Sequence, residues 1–485
     1  MSAINLDVSW TALLPVLLLT GTSVLVMVAD LFTTGQDREG LGWLGLFGLA
    51  VTVVATVSLW NQQITTMSGA LTLDRFTVYF TLLFCVMTGL TLLLSMGYLQ
   101  QTEVRTGDYY TLVLFSTVGM LLMAAATDLI VIFLALEVMS IAVYALAGIA
   151  RSQEASNEAA LKYFLLGAFA SGFLLFGIAL VFGATGSTTL AGIAAKVGSL
   201  DGESQRLMAA GVALLLVGFG FKVAAVPFHV WTPDVYEGAP TSVTALMAVG
   251  VKAAAFAALA RIFLSTLSPI AGGWNDLLWV LAVATMTVGN VTAVVQRSIK
   301  RMLAYSSIAH AGYLLMGVVV GGAAAGSALL FYLFAYGLMT IGAFAVVGAV
   351  GRQGAPNESL GDYAGLGFRS PLLGLAMTVF LLSLAGIPPF GGFVGKFYLF
   401  SAAIQSGYVW LAVIGVLNSL VSVYYYAGVL VQIYMSEGGA PVDDPRTRPY
   451  LFATIVTTVV GVILLGIFPS SVYELAQASF LPLVH

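Results

Sequence analysis

Gly218-Phe-Gly-Phe-Lys222-Val-Ala-Ala-Val-Pro227-Phe-His229-Val-Trp231-Thr-Pro233-Asp234 sets a lysine five residues before a proline, inside a run otherwise apolar enough to be a membrane helix. Proline removes an intrahelical hydrogen bond and clashes with the preceding turn. In hydrocarbon the freed carbonyls must find protein or water partners, so such breaks are kept where they line a polar cavity. A second stretch, Ser383-Leu-Ala-Gly386-Ile-Pro388-Pro389-Phe-Gly391-Gly392, has the same construction and is followed by Lys396. Pairs of interrupted helices at matching positions of two repeats are how transporters build sites near the membrane midplane.

The surrounding sequence agrees with a membrane setting. Of 485 residues, 60% are hydrophobic and 8% charged, against about 25% charged in soluble proteins, which excludes an ordinary soluble enzyme. A helix crosses the hydrocarbon with about 20 apolar residues, and about fourteen candidates occur, near 11–30, 41–60, 76–98, 109–126, 128–150, 159–184, 209–228, 240–265, 275–296, 302–321, 326–350, 371–390, 407–434 and 450–468. The expected fold is therefore an all-α polytopic membrane protein. The first span has no basic leader and reads as a retained helix, not a signal peptide. A net charge of -4 leaves no basic surface for a nucleic-acid backbone. The single cysteine, Cys85, excludes an internal disulfide, a cysteine-ligated zinc and an iron–sulfur cluster. With three histidines, one of them terminal, no metal is expected.

Cytoplasmic loops keep an excess of Lys and Arg. With the N-terminus outside, the inner loops hold Arg38, Arg105, Arg151, Arg297, Lys300, Arg301, Arg352, Arg369, Arg446 and Arg448, against Arg75, Lys196, Arg206 and Arg261 outside or at outer helix ends. Both termini are thus expected on the non-cytoplasmic face. The four remaining basic residues, Lys162, Lys222, Lys252 and Lys396, fall within spans. Each costs at least about 2.5–3.5 kcal/mol at the bilayer centre on insertion scales, so a function must offset them. Lysine, unlike arginine, can release its proton when buried. Among the carboxylates only Glu137, in Leu134-Ala-Leu-Glu137-Val-Met-Ser140, lies near the middle of a span. Bland readings compete with this one: Lys162 snorkelling to the interface, Lys396 as a loop residue, and Glu137 as a structural hydrogen bonder. His310 is either a titrating relay member or a neutral interhelical hydrogen bonder, and His229 is expected to order the turn after Pro227.

An internal repeat is also visible. Lys222–Pro227 lies over Ser383–Pro388 at an offset of 161, Ala160–Leu165 over Ala328–Leu333 at 168, and Tyr144–Gly148 over Tyr313–Gly317 at 169. These matches give two repeats of five helices, 109–265 and 275–434, inverted in the membrane. Three helices precede them in 1–108, and a last helix and tail follow in 450–485. No strand-linked dinucleotide fingerprint and no phosphate loop occurs, Gly218-Phe-Gly220 being inside a span. Driving energy must then come from an ion gradient or a partner protein.

At this point the two quoted stretches, extended through Val235-Tyr236-Glu-Gly238-Ala-Pro240 and from Leu381 to Tyr398, resemble the antiporter-like membrane subunits of respiratory complex I and the related multi-subunit antiporters. The likeness runs over about residues 75 to 435. Val235-Tyr236 and Lys396 resemble one of that family's branches more than the others. The resemblance implies a proton-translocating membrane-arm subunit in a bacterial inner membrane. Its partners would be other membrane-arm subunits and lipid. Partner chains would carry NADH, FMN, iron–sulfur clusters and quinone, and this chain no cofactor. It further implies that Glu137 pairs with Lys222, that Lys162 shares the glutamate, that Lys252 is the central relay lysine and that Lys396 serves the second broken helix. Part of a cation/proton antiporter complex, a membrane-bound hydrogenase and a structural scaffold stay open as alternatives.

Overall fold

A computed structural model describes residues 7–33, 39–99, 104, 106–351 and 357–484. Arg38, Arg105 and Arg352, which the charge count used, lie outside the described residues. The chain opens with α1 (Trp10–Phe32) and α2 (Glu39–Ser58), then a hairpin of β1 (Ile64–Thr66) and β2 (Leu71–Leu73) pairing Thr65 with Thr72. Next come α3 (Arg75–Tyr98), α4 (Thr106–Ala125), α5 (Leu129–Ala147), α6 (Glu154–Thr185) and the short α7 (Leu190–Val197). The first broken element is α8 (Gly202–Val223) followed by α9 (Trp231–Gly238). Then α10 (Thr241–Leu246) and α11 (Lys252–Leu259), joined and extended by two π-helical turns, form one continuous helix, Thr241–Thr266. After it run α12 (Asn275–Ala293), α13 (Ile299–Val320), α14 (Gly322–Val350) and the one-turn α15 (Leu366–Arg369). The second broken element is α16 (Pro371–Ala385) with α17 (Gly391–Gln405), and α18 (Val409–Met435), α19 (Pro449–Ile467) and α20 (Ser470–Val484) close the chain.

Thirteen described helices are long and apolar enough to cross a membrane. The span expected at 371–390 is the exception, because α16 stops after 15 residues at its break. Polar side chains fix many of the helix starts: Asp74, Asp128, Asp201, Thr189 and Ser298 each accept a backbone N–H of the first turn. Such caps satisfy donors that have no intrahelical partner. The sequence reading missed α7, α9, α17 and α20 as separate helices, since pieces of 8 to 15 residues fall short of a membrane-spanning pattern.

Helix Thr241–Thr266, buried except at Ser265, forms the centre together with α13 and α14. Around it α4 packs on α5, and α6 on α8 and α9. In the second part α12 packs on α13, and α14 on α16 and α17. Helices α6 and α18 turn apolar side chains such as Phe169, Phe176, Trp410 and Leu420 outward, as a chain surrounded by hydrocarbon or other membrane chains must.

One setting went unread. Arg261, counted at an outer helix end, does lie in the last turns of Thr241–Thr266, but it is buried there. Its guanidinium donates to both carboxylate oxygens of Asp74 at 2.9 and 3.0 Å, to Ala124 O and to Thr77, and it lies 4.7 Å from the Phe76 ring. The sequence shows an arginine four residues before a polar Ser-Thr stretch; nothing in it reveals that the cap residue of α3 reaches across to meet it.

Candidate functional site

The two breaks create the chemistry. At the first, α8 ends in the left-handed residue Ala224, whose N–H donates to Phe221 O at 3.1 Å, while Ala225 N–H reaches Gly220 O at 2.8 Å. The chain then turns over Pro227, with Val226 N–H held by the Thr285 hydroxyl at 2.9 Å, and Trp231 begins α9 and donates its indole N–H back to Phe221 O at 3.0 Å. His229 accepts from Thr232 N–H through its carbonyl at 2.9 Å, and its Nδ1 is buried without a protein partner. At the second break Gly386 takes the same left-handed cap, bonded to Leu382 O and Ser383 O.

Lys222 sits in the last turn of α8 and is 3% exposed. Its Nζ lies 5.1 and 5.0 Å from the Tyr144 and Tyr163 ring centroids and 3.4 Å from the Tyr144 hydroxyl. An ammonium over aromatic faces is stabilised by the ring quadrupole, which partly replaces lost hydration. Glu137 makes no direct ion pair with Lys222. It accepts a hydrogen bond from the Ser171 hydroxyl at 2.5 Å, and its charge acts on both Tyr144 and Lys222. Glu137, Ser140 and Tyr144 share a face of α5 because residues three, four and seven apart align on a helix. Tyr144 thus touches the ammonium from the helix face that carries the carboxylate, a position its i+7 spacing from Glu137 makes readable in hindsight.

Tyr144 is itself seated by Gly167 on α6, where a Cβ would collide with the tyrosine hydroxyl. We expect Gly167→Ala to push the Tyr144 ring off Lys222 while the chain still folds. An unchanged Tyr144–Lys222 contact in a structure of the variant would show that this glycine does not seat the ring.

Lys252, 1% exposed, sits near the middle of Thr241–Thr266 and donates to Ser307 O and Ser307 Oγ, both at 2.5 Å, with the Tyr336 ring 5.6 Å away. One turn further along α13, His310 places Nδ1 2.6 Å from the Tyr332 hydroxyl and Nε2 3.4 Å from the Tyr426 hydroxyl, which in turn bonds Ser306. A neutral imidazole has one donor and one acceptor nitrogen, so one tyrosine donates to it and the other accepts. His310 lies within electrostatic reach of both Lys396 and Lys252.

Lys396, 3% exposed, bonds Leu384 O at 2.9 Å, Ala385 O at 3.2 Å and Ser419 Oγ at 2.9 Å, with the Tyr313 ring 4.8 Å away. Those carbonyls are the ones the break leaves without intrahelical donors. A cation is favoured there both as a donor and by the helix dipole. Beyond it, Asn290 donates to Tyr313 and accepts from Tyr425.

The structure brings Lys252, His310 and Lys396 into one buried polar track, and half-buried Glu137 together with buried Tyr144 and Lys222 into a second group. Between them lie Trp231 and Tyr236, and the buried hydroxyls of Tyr163, Thr232 and Tyr336, which no protein group satisfies. Buried hydroxyls are almost always paired, with ordered water where protein is lacking. Lys162 is not with these groups. Its side chain is 40% exposed and paired with Asp234 and Glu158, each at 2.7 Å. Among the described residues no cluster of three or more His, Cys, Asp or Glu side chains could hold a metal ion.

Broken helices, buried lysines and a lone mid-span carboxylate define an antiporter-like membrane subunit. The chain belongs to the family described as NADH:quinone oxidoreductase/Mrp antiporter, TM, which residues 126–422 match. It is 49% identical to NADH-quinone oxidoreductase subunit N of Trichlorobacter lovleyi over 98% of this chain and 96% of that one, and 43% identical to subunit N 2 of Roseiflexus castenholzii over 97% and 96%. Among solved structures it superimposes on a chain of respiratory complex I from Thermus thermophilus with a TM-score of 0.81 at 37% identity, covering 96% of this chain and 99% of that one. A chain of the Mrp complex from a Dietzia species shares the fold at 24% identity, with a TM-score of 0.85 and 98% of each chain covered.

Proposed function

We propose that this chain is a proton-translocating membrane-arm subunit of a bacterial NADH:quinone oxidoreductase, the counterpart of subunit N in its relatives. Electron transfer from NADH through FMN and iron–sulfur clusters to quinone takes place on partner chains, and this chain contributes the proton path. The observation that carries the reading is the set of three ammonium groups sunk in apolar helices, with His310 within reach of two of them. Protons pass from Lys222 to Lys252, and through Ser307, His310 and Tyr332 to Lys396, with water bridging the gaps. Glu137 biases the first step: its approach favours the ammonium form of Lys222 and its withdrawal releases the proton. The two halves, 109–265 and 275–434, act as inverted repeats in the inner membrane, with both termini on the periplasmic side. The likeness to the Mrp complex concerns the fold, whereas the relatives at 37% to 49% identity are complex I chains.

The test is made in inverted membrane vesicles. Lys222→Ala and Glu137→Ala are each expected to lower NADH-driven proton pumping while the complex still assembles, with the lysine variant the more severe. Normal pumping in both would remove the relay. Purification from native membrane should recover the chain together with NADH-oxidising and other membrane-arm subunits. Recovery with antiporter subunits alone would move it to the other branch of its family.

A further inference from the structure

Lys162 and Asp234 are held in an ion-pair cluster that no step of the relay uses. Lys162 on α6 bonds Asp234 on α9 and Glu158 one turn back. Arg301 on α13 bonds both Asp234, at 2.8 Å, and Glu237, at 2.9 Å. All five side chains are partly exposed, so the cluster lies at the rim of the fold, on the side where Lys300 and Arg301 start α13. Beside this cluster stands an aromatic lid: Tyr163, next to Lys162 on α6, stacks on Trp231, three residues before Asp234 on α9, at 4.3 Å. The Tyr163 ring is 5.0 Å from Lys222 Nζ. Its hydroxyl is buried and unsatisfied by protein. An exposed charge cluster, a stacked pair and a buried ammonium thus follow one another along the seam between α6 and α9.

Helix α9 is a short element set off at both ends. It has eight residues, a break before it at Ala224–Val230 and Pro240 after it. On its far side Arg301 ties it to α13, as does Lys300, which donates to Ala239 O at 2.8 Å. On its near side α9 packs closely on α6, through the Lys162–Asp234 pair, the Tyr163–Trp231 stack and the close approach of Gly238 to Ala155 and Ala159. Resting on the relay reading above, we propose that the Lys162–Asp234 ion pair is a gate that closes the rim end of the path to Lys222, with Arg301 holding Asp234 in place. When the pair parts, α6 and α9 separate at the lid and water reaches the buried ammonium. Lys162 and Asp234 are then positioning residues, not members of the mid-membrane relay.

The test reads access to the position of Lys222, not pumping. Lys222→Cys is built into the assembled complex in vesicles, with native Cys85 buried. A small aminoethyl methanethiosulfonate is applied from the side bearing Arg301, and the labelled fraction of this subunit is followed by mass. Adding Asp234→Asn or Lys162→Gln is expected to speed labelling by about three- to tenfold, the range that one or two partly exposed ion pairs supply. Lys162→Arg, which keeps the pair, is expected to label like the parent. Equal rates in all variants, or no labelling in any, would overturn the gate. Lys162 is partly exposed, so its replacements should fold. Failure of the relay itself would appear separately, as normal pumping in Lys222→Ala.

Discussion

Replacing Lys252 by methionine should leave a complex that assembles and still carries this subunit, yet pumps protons about a hundredfold more slowly or worse, the usual scale for losing a positioned proton-transfer group. The separation of assembly from function follows from the surroundings. Lys252 is encased in Thr241–Thr266, with Ser307 as its one hydrogen-bonding residue among the described residues and an aromatic face above it. Methionine fills a similar volume without the charge, and buried ionic groups exchanged for apolar ones of like size are often neutral or stabilising. Ser307 O sits inside α13 and can accept the helical N–H four residues on, so its loss of the lysine leaves no orphan carbonyl. Structure alone therefore gives little reason for an ammonium here, whereas a relay gives a strong one. Vesicle acidification driven by NADH is the measurement. A variant that pumps within twofold of wild type would show that protons bypass Lys252.

How much of this was legible beforehand can be traced residue by residue. The breaks at Pro227 and Pro388 were readable because proline in an apolar run has few meanings, and Lys222, Lys252 and Lys396 because charge in such a run has fewer. Their settings were not. The pairing of Glu137 with Lys222 was expected as a contact; Ser171 occupies the carboxylate and Tyr144 touches the ammonium, an arrangement set by how α6 lies on α5. Lys162 was read as a fourth lysine within a span, with snorkelling to the interface as its bland alternative. The helix starts at Glu154, and the face carrying Glu158 and Lys162 meets Asp234 at the partly exposed rim. The tyrosines at 332, 336 and 426 were hidden by their own apolar bodies: in sequence each belongs to the hydrophobic pattern, and only packing shows a hydroxyl aimed at His310 or a ring laid over Lys252.

The same blindness hid Arg261, and its environment yields the second large expectation. Arg261→Met would leave the Asp74 carboxylate buried beside Phe76 with its two strongest donors gone, keeping only the Thr77 N–H at 2.7 Å and the Thr77 hydroxyl nearby. Breaking a buried pair from one side costs about 3–5 kcal/mol because the remaining charge is uncompensated. Much of the net stability of a folded unit is of that size, so the subunit should accumulate poorly and the complex with it. Changing both partners removes the charge instead of stranding it. Asp74→Asn with Arg261→Met keeps an N-cap acceptor for α3, since asparagine caps about as well as aspartate, and should restore most of the assembled complex. Relay lysines predict the opposite pattern, normal assembly and lost pumping. Scoring subunit abundance and vesicle acidification in parallel therefore tells a clamp from a carrier: if Arg261→Met assembles normally but fails to pump, Arg261 belongs with the proton path and the structural reading of this pair is wrong.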